Sequence, residues 1–189
     1  MSKFAVIDTE TNWENAVMSI GAVISDSENF LPPKNEYKKY YILTPFKNVG
    51  GMYSGVLYIN GLSPDFEGSR EEVMSRLLEF LNKNKIRSVF AYNAKFDCGL
   101  LPELGGFDWF DIMRLTAYRQ YNKKIPKDAD CYKTGKMKTG YGVEKMYRIL
   151  SGNSNYCETH NALHDALDEL EIMRLLGLSI EKYEAAKIN

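Results

Sequence analysis

Two carboxylates lie two positions apart, directly after the first apolar run of the chain. The run, residues 4–7, is too short for a helix and has branched side chains, so it predicts a buried strand. Asp8 and Glu10 follow it, and side chains two apart on a strand point to the same face. Two like charges held that close repel unless a cation neutralises them, and carboxylate oxygens suit Mg²⁺ or Mn²⁺. The pair is therefore a candidate metal site, with a solvated turn after the strand as the alternative.

A third carboxylate, Asp97, follows a second predicted strand at residues 88–92 and stands at the start of a predicted helix. Sheets of α/β proteins gather their ligands beyond the ends of such strands, so this position favours a role in the same site. Aspartate is also a common N-cap residue, and helix capping is the alternative role of Asp97.

Both histidines of the protein precede a fourth carboxylate, Asp165, near the start of an apolar helix predicted over residues 162–176. An aspartate in that position can direct its carboxylate into a site, and a histidine in the preceding loop can reach the same place. His160 lies five residues before Asp165, and His164 lies one residue before it. The alternative is a pair of exposed histidines near a helix N-terminus.

The elements that must position these side chains are strands first, then alternating helices and strands. Strands are predicted at residues 4–7, 17–25, 37–43, 88–92 and 107–110, the first three as an antiparallel meander. Helices are predicted at residues 69–81, 98–104, 112–121, 143–150 and 162–176, with Ser69 and Asp111 as caps. Residues 122–142 are polar and aperiodic, which predicts a long loop. This order predicts an α/β fold in one domain over residues 1–189.

Composition and charge exclude several classes of protein. The chain has 189 residues, of which 44% are hydrophobic and 26% charged, and this excludes a disordered tail, a collagen and a coiled coil. The net charge is −1, but residues 112–150 hold 10 Lys and Arg against 3 Asp and Glu, a local charge of +7. Lysines can pair with phosphates and tyrosines can stack on bases, so this segment favours a polyanion substrate. A solvated flexible loop is the alternative.

Cysteine usage and the N-terminal residues indicate the compartment. Cys98, Cys131 and Cys157 are widely spaced and odd in number, which favours reduced thiols over a disulfide framework or a zinc ribbon. The first residues contain no long apolar core, so a signal peptide is not expected. The sequence therefore predicts a cytoplasmic protein.

In chain order, the carboxylate segments resemble the motifs of the DEDDh family of 3′-5′ exonucleases. The motifs are Asp-x-Glu at Asp8 and Glu10, Asn-x-x-Phe-Asp ending at Asp97, and His-x₄-Asp from His160 to Asp165. The family includes the proofreading epsilon subunits of DNA polymerase III, ribonuclease T and oligoribonuclease. Similar segments also lie at residues 19–23, 60–63 and 111–115, so the resemblance runs from residue 4 to about residue 176.

Departures from the family pattern concern positions around the motifs. The sister branch has a catalytic tyrosine where this chain has Asn161, so the histidine branch is favoured. Asn12 replaces a usual glycine, Ser19 a common acid and Tyr92 a usual histidine. None of these changes removes a metal ligand. They are expected at the rim of the terminal nucleotide site, where they weaken any prediction of base or sugar preference.

The resemblance implies a ribonuclease H-like fold, which belongs to the α/β class. Its central sheet is mixed, with strands 1–3 antiparallel and the later strands parallel, and helices flank the sheet. It also implies two divalent ions, Mg²⁺ or Mn²⁺, that support hydrolysis of a terminal phosphodiester. The implied metal ligands are Asp8, Glu10, Asp97 and Asp165, with Asp8 bridging the ions. His160 is the implied general base, and His164, expected on another face of the helix, is its rival.

The same resemblance implies contacts with the terminal nucleotide. The residues concerned are Thr9, Thr11, Asn93 and Phe96, although Phe96 has an equal claim to be ordinary core. The implied substrate is the 3′ end of single-stranded nucleic acid, which loses nucleoside monophosphates, with DNA slightly favoured over RNA. An RNA-trimming exoribonuclease, a proofreading subunit that acts with a polymerase, and a homodimer stay open. A nuclease-like scaffold protein is disfavoured because all five catalytic positions are filled.

Overall fold

A mixed sheet of six strands lies at the centre of the described structure, a computed structural model covering residues 3–59 and 61–189. The strands are β1 (Lys3–Thr11), β2 (Val17–Asp26), β3 (Lys38–Leu43), β4 (Phe66–Gly68), β5 (Ser88–Ala91) and β6 (Asp108–Asp111). Their order is β4-β3-β2-β1-β5-β6. β1, β2 and β3 pair antiparallel, whereas β5 runs parallel to β1, β6 to β5 and β4 to β3. Asn60, the first residue of one family-like segment, lies outside the described residues.

Helices cover both faces of this sheet. The α-helices are α1 (Phe46–Val49), α2 (Arg70–Lys83), α3 (Lys95–Leu100), α4 (Met113–Thr116), α5 (Val143–Ser151) and α6 (Ala162–Leu176). Short 3₁₀ helices lie at Asn35–Tyr37, Ser54–Val56, Pro102–Leu104 and Ile180–Ala186. Within the described ranges, no helix combines the length and the apolar character needed to cross a membrane.

The alternation of side chains along β1 separates two apolar clusters, one on each face of the sheet. Phe4 and Val6 pack in the cluster that includes α5 and α6, whereas Ala5 and Ile7 pack in the cluster that includes α2. All four side chains are buried. Asp8 continues the alternation of Phe4 and Val6, so its carboxylate lies on the α6 side of the sheet.

β4 and α4 differ from the sequence predictions because short-range signals are weak there. The sequence does not predict β4, since the three residues Phe66–Gly68 are too few to show a period. α4 ends at Thr116, well before the predicted end of that helix. The side-chain amide of Asn122 donates a 2.8 Å hydrogen bond to the Thr116 carbonyl, which a longer helix would use internally.

α3 begins earlier than the sequence predicts. Asn93 has a left-handed conformation with a φ of 61°, and the Phe96 N–H already bonds to the Asn93 carbonyl. The helix therefore spans Lys95–Leu100 instead of residues 98–104. Asp97 lies in its first turn and not at the N-cap, which is Ala94. Helix capping thus does not account for Asp97.

The predicted loop over residues 122–142 is anchored to the body of the protein. Ile125 and Met137 are buried in the cluster of α5 and α6. The Arg119 guanidinium donates hydrogen bonds of 2.7 to 3.0 Å to three backbone carbonyls between residues 126 and 129. These contacts give the segment a defined path along the α5 and α6 side.

The start of α6 lies against β2 at Gly21, without room for a side chain. A Cβ atom on Gly21 would lie 2.0 Å from the carbonyl oxygen of Ala162 and 2.4 Å from the backbone nitrogen of Leu163. Gly21 is also the residue opposite Asp8 in the register of β1 and β2. This close approach therefore sets the distance between the first turn of α6 and Asp8.

We expect Gly21→Ala to lower the free energy of unfolding, because the obstructing atoms belong to backbone and cannot rotate away. Overpacking of this kind costs about 1–3 kcal/mol, occasionally more. Gly106→Ala is the matched control, since nothing lies within 4 Å of a Cβ at that position. Urea unfolding followed by circular dichroism measures both variants. A Gly21→Ala variant as stable as the unmutated protein would contradict the close approach.

Candidate metal centre

The first pair of carboxylates lies toward the end of β1. Asp8 and Glu10 are half-buried and share one face of the strand, as their spacing predicts. The Oδ2 atom of Asp8 is buried and has no hydrogen-bond partner among the described residues. An ionised oxygen in that state is unfavourable unless a proton or a cation lies beside it.

Asp97 reaches the same place from α3. Its side chain is 2% exposed, and its Oδ1 accepts a 2.7 Å hydrogen bond from the Thr9 hydroxyl. Thr9 lies between Asp8 and Glu10 on β1, and its side chain is buried. This bond joins the start of α3 to the end of β1.

Asp111 fixes the turn that precedes α3. Its Oδ1 accepts hydrogen bonds from the backbone N–H groups of Asn93 and Met113, both at 3.0 Å. The bond from Met113 lies at the start of α4, but the N-cap of that helix is Ile112, so the predicted N-cap role of Asp111 is wrong. The bond from Asn93 holds the left-handed turn on which the position of Asp97 depends.

Asn161 begins α6 and connects it to two other parts of the chain. Its Oδ1 accepts from the N–H groups of Leu163 at 3.2 Å and His164 at 3.4 Å, which makes it the N-cap. Its Nδ2 donates to the Tyr40 hydroxyl at 3.0 Å and to the Val56 carbonyl at 2.9 Å. Asn161 occupies the position at which the sister branch has its catalytic tyrosine, and here its side-chain amide is buried and holds the structure together.

His160 and Asp165 lie on either side of this cap and meet Glu10. His160 has a φ of 56°, and its imidazole stacks on the Tyr53 ring with 3.9 Å between centroids and 13° between planes. Asp165 is 3% exposed, and its Oδ1 atom has no hydrogen-bond partner in the described ranges. One potential ligand atom from each of Glu10, His160 and Asp165 lies within 4.8 Å of the others. Two carboxylates and an imidazole thus converge on one point.

The second histidine lies outside this convergence. The charge of His164 acts on Asp168, one turn further along α6, where burial raises the pKa of the carboxyl and the Tyr156 hydroxyl and His164 partly oppose that shift. His164 is not part of the cluster of Glu10, His160 and Asp165. The geometry therefore separates the two histidines in the way that their spacing from Asp165 predicts.

The electrostatics of the site are those of crowded, buried acids. Burial, with added repulsion from neighbouring carboxylates, raises the pKa of Glu10 to about 8 and that of Asp165 to about 8. Burial raises the pKa of Asp97 to about 7, even though the Thr9 hydroxyl stabilises its charged form. The same causes place the pKa of Asp8 well above its usual value. An opposite charge in the cluster would reverse these shifts.

This set of donors fits divalent cations. Asp8 and Asp165 each present a buried oxygen without a partner, and a divalent ion beside them would supply that partner. Among residues 3–59 and 61–189, no lysine or arginine forms a salt bridge with Asp8, Glu10, Asp97 or Asp165. Carboxylate oxygens suit Mg²⁺ and Mn²⁺, the ions that the sequence resemblance implies.

Sequence reasoning misses two residues of this site. Glu169 is buried one helical turn beyond Asp165, and its charge raises the pKa of Asp8. The i, i+4 spacing from Asp165 is a signal that could have identified it. Tyr53 stacks on His160 from an aperiodic loop, where no pattern in the sequence marks it.

A cavity of about 340 Å³ opens beside Glu10. Three of the four predicted substrate residues, Thr9, Thr11 and Phe96, belong to its lining. The Thr9 hydroxyl is already bonded to Asp97, and Phe96 is 47% exposed, which excludes a core role for that ring. The fourth residue, Asn93, is exposed but is not among the residues that line this cavity.

The three departures from the family pattern occupy different environments. Asn12 lines the cavity and also shapes the turn between β1 and β2, where its Oδ1 accepts from the N–H groups of Glu14 and Ala16. Ser19 and Tyr92 are buried in the interior. Of the three, only Asn12 lines the cavity, so the expected rim position does not apply to Ser19 and Tyr92.

Comparisons with known proteins give a likeness in structure and none in sequence. No family model matches the chain, and no curated protein matches it. Among solved structures, a chain from "Structure of yeast NOT1 MIF4G domain co-crystallized with CAF1" matches with a TM-score of 0.55 and 12% sequence identity. The match covers 95% of this chain and 84% of that chain. At this identity, the likeness concerns the fold alone.

The expected fold assignment is corrected on this comparison. The motifs imply a ribonuclease H-like fold, but the matching structure is described as a MIF4G domain with CAF1 and not as a ribonuclease H-like protein. The ribonuclease H-like designation is therefore withdrawn. The physical reason is that short motifs constrain the residues around a site far more than the path of the whole chain. The structure shows an α/β fold with a mixed six-stranded sheet.

We expect the metal-free protein to lose stability as the pH rises from about 4 toward about 8. The site acids have folded-state pKa values above their unfolded values, so the folded state binds more protons across this window. For each proton that the folded state binds in excess of the unfolded state, the free energy of unfolding falls by up to about 1.4 kcal/mol as the pH rises by one unit. Urea unfolding in EDTA across this window measures the slope.

Two controls accompany this measurement. Asp165→Asn removes one of the titrating groups and should reduce the slope, and saturating Mn²⁺ should reduce it further because a bound cation favours the charged carboxylates. Metal-free stability that stays level or increases with pH would contradict the raised pKa values.

Proposed function

We propose that the protein is a metal-dependent 3′-5′ exonuclease that releases nucleoside monophosphates from single-stranded nucleic acid, as the DEDDh family that it resembles does. The observation that supports the proposal most strongly is the convergence of Glu10, His160 and Asp165 within 4.8 Å. Asp8 shares a face of β1 with Glu10, and the Thr9 hydroxyl links Asp97 to the same strand. A solvated turn, a helix cap and a pair of exposed histidines do not explain why three separate segments meet at one point.

The four acids of the motifs are suited to hold two cations for this reaction. Bound Mg²⁺ or Mn²⁺ would supply polarisation of the phosphate oxygens and a lowered pKa for an attacking water. The residues that would hold such ions are Asp8, Glu10, Asp97 and Asp165. The Thr9 hydroxyl and the turn held by Asp111 keep Asp97 in place for this role.

In this proposal, His160 takes the proton of the attacking water. Burial lowers its pKa below the usual value of 6.5, so the imidazole is neutral and able to accept a proton at neutral pH. Stacking on Tyr53 restrains the ring. As the water oxygen bonds to phosphorus, its proton passes to the imidazole and the bond from phosphorus to the 3′ oxygen breaks.

The cavity beside Glu10 supports an unpaired nucleotide as the substrate. Its lining includes Trp13, Met52 and Phe96, which are 66%, 69% and 47% exposed. Large exposed apolar side chains gathered at one place are typical of a binding surface. Rings of this kind stack on bases of any sequence, and bases are accessible to them only when the strand is single.

The basic segment at residues 112–150 supports a polyanion substrate, because its lysines can pair with phosphates. Its Tyr141 carbonyl accepts a hydrogen bond from the Tyr92 hydroxyl, directly before the turn at Asn93. Its lysines are partly engaged with neighbours, since Lys138 pairs with Asp130 at 3.0 Å. A preference for DNA over RNA, a polymerase partner, a homodimer and a cytoplasmic location stay predictions from the sequence.

Degradation of 5′-labelled DNA and RNA oligomers of equal sequence tests the proposal. With Mg²⁺ or Mn²⁺, we expect products that shorten from the 3′ end, and with EDTA we expect none. His160→Ala should lower the rate by roughly 10²–10⁴-fold, because the general base is lost. The faster of the two polymers then identifies the preferred substrate.

His164→Ala is the control for this experiment, because it removes the other histidine from the same helix end without touching the cluster. We expect it to keep most of the activity. Full activity in His160→Ala, or intact oligomers with folded, metal-loaded protein, would contradict the proposed function.

We expect Trp13→Ala to raise KM for single-stranded oligomers while kcat changes less. Stacking of one base on an aromatic ring contributes about 1–3 kcal/mol, which corresponds to a rise of roughly 5- to 150-fold. Leu31→Ala is the matched control, because Leu31 is 54% exposed and lines a different cavity. An unchanged KM in Trp13→Ala would contradict the binding of a substrate base in this cavity.

A further inference from the structure

Glu169 is a buried carboxylate that the motifs do not include. It lies in α6, one helical turn beyond Asp165, and is 2% exposed. Its Oε2 atom has no hydrogen-bond partner in the described structure, whereas the backbone N–H of Tyr92 bonds to its carboxylate. A glutamate is almost never fully buried unless it is paired or binds a metal.

Glu169 lies on the same face of α6 as Asp165, four residues further along the helix, and its charge acts on the acids of the site. Among the charges that raise the pKa of Asp8, that of Glu169 has the largest effect. Asp97 and Asp165 in turn raise the pKa of Glu169, after the effect of burial. No salt bridge from a lysine or arginine reaches Glu169 within residues 3–59 and 61–189. The carboxylate therefore adds to the negative charge of the site and has no cationic side chain to offset it.

A packing role does not explain an acid at this position. Glutamine or methionine would fill a similar volume without a charge to remove from water, and a buried unpaired carboxylate is costly. A divalent cation beside the Oε2 atom of Glu169 would supply the missing partner and the opposite charge together.

We propose that Glu169 is a fifth carboxylate of the cation site and helps to hold the inner of its two ions, on the buried side of the site one turn of α6 beyond Asp165. This inference rests on the proposed function, because it concerns the same cations, but it adds a residue that the family motifs do not contain. Four ionised carboxylates neutralise two divalent ions, and Glu169 adds a further negative charge. The site therefore binds its inner ion without help from the phosphate of a substrate.

Titration of Mn²⁺ into the metal-free protein, without nucleic acid, tests this role apart from activity. Calorimetry gives the affinity, and the electron paramagnetic resonance signal of free Mn²⁺ gives the number of bound ions. We expect Glu169→Gln to weaken the tighter Mn²⁺ by roughly 10- to 100-fold. Glu171→Gln, on the same helix and paired with Arg174, should bind Mn²⁺ as the unmutated protein does.

Asp8→Asn separates the failure of this inference from the failure of the proposed function. If Asp8→Asn weakens Mn²⁺ binding and Glu169→Gln does not, the role of Glu169 is overturned and the proposed function stands. If neither variant weakens Mn²⁺ binding, the proposed function and the role of Glu169 are both overturned.

Glu169→Asp covers the case in which Glu169→Gln does not fold, as judged by circular dichroism in EDTA. Aspartate keeps the negative charge, so this variant should fold. Its side chain is shorter by one methylene group, so it should bind the inner ion less tightly than the unmutated protein does. Mn²⁺ affinity equal to that of the unmutated protein in Glu169→Asp would overturn the role of Glu169.

Discussion

The contact between the backbones of α6 and β2 at Gly21 is the constraint on which the site depends. Because Gly21 has no side chain, the carbonyl of Ala162 can lie where a Cβ atom would be. Gly21 faces Asp8 across the β1–β2 pair, so the same contact brings the first turn of α6 over the carboxylates of β1. The N-cap at Asn161 then sets where α6 begins, and with it the positions of His160 and Asp165. One short contact thus relates the first and the last motif of the chain.

This arrangement holds negative charges together at a free-energy cost that the surrounding structure offsets. The acids lie at the edge of two apolar clusters, in which Trp109 and Tyr183 are fully buried, and these clusters do not depend on the charge of the site. Local hydrogen bonds from the Thr9 hydroxyl and to the Asp111 carboxylate restrain the acidic segment. The fold can therefore keep the carboxylates close before a cation binds, and the repulsion between them makes a cation the favourable partner.

Periodicity in the sequence predicts the elements of the site better than it predicts their junctions. The apolar pattern after Asn161 is a strong local signal, and β2, β3 and α6 follow their predicted bounds closely. β1 instead continues to Thr11, beyond its predicted end at residue 7, so that Asp8 and Glu10 lie within the strand. The start of α3 depends on a left-handed Asn93 held by Asp111, a contact between distant positions that no local pattern contains. Sequence reasoning misses Glu169 and Tyr53 for the same reason, since only the packing of α6 and of the loop before residue 60 brings them to the acids.

Tyr53 connects the two halves of the site. Its ring belongs to the lining of the cavity and also stacks on the imidazole of His160. The loop that carries it is held against α6 because the Asn161 amide bonds to the Val56 carbonyl and the Tyr40 hydroxyl bonds to the Leu57 carbonyl. An occupant of the cavity therefore touches the same ring that restrains His160. The buried side chain of Asn161 holds both this loop and the start of α6, next to His160. The Tyr53 ring and the His160 imidazole are therefore expected to move together when the cavity is occupied.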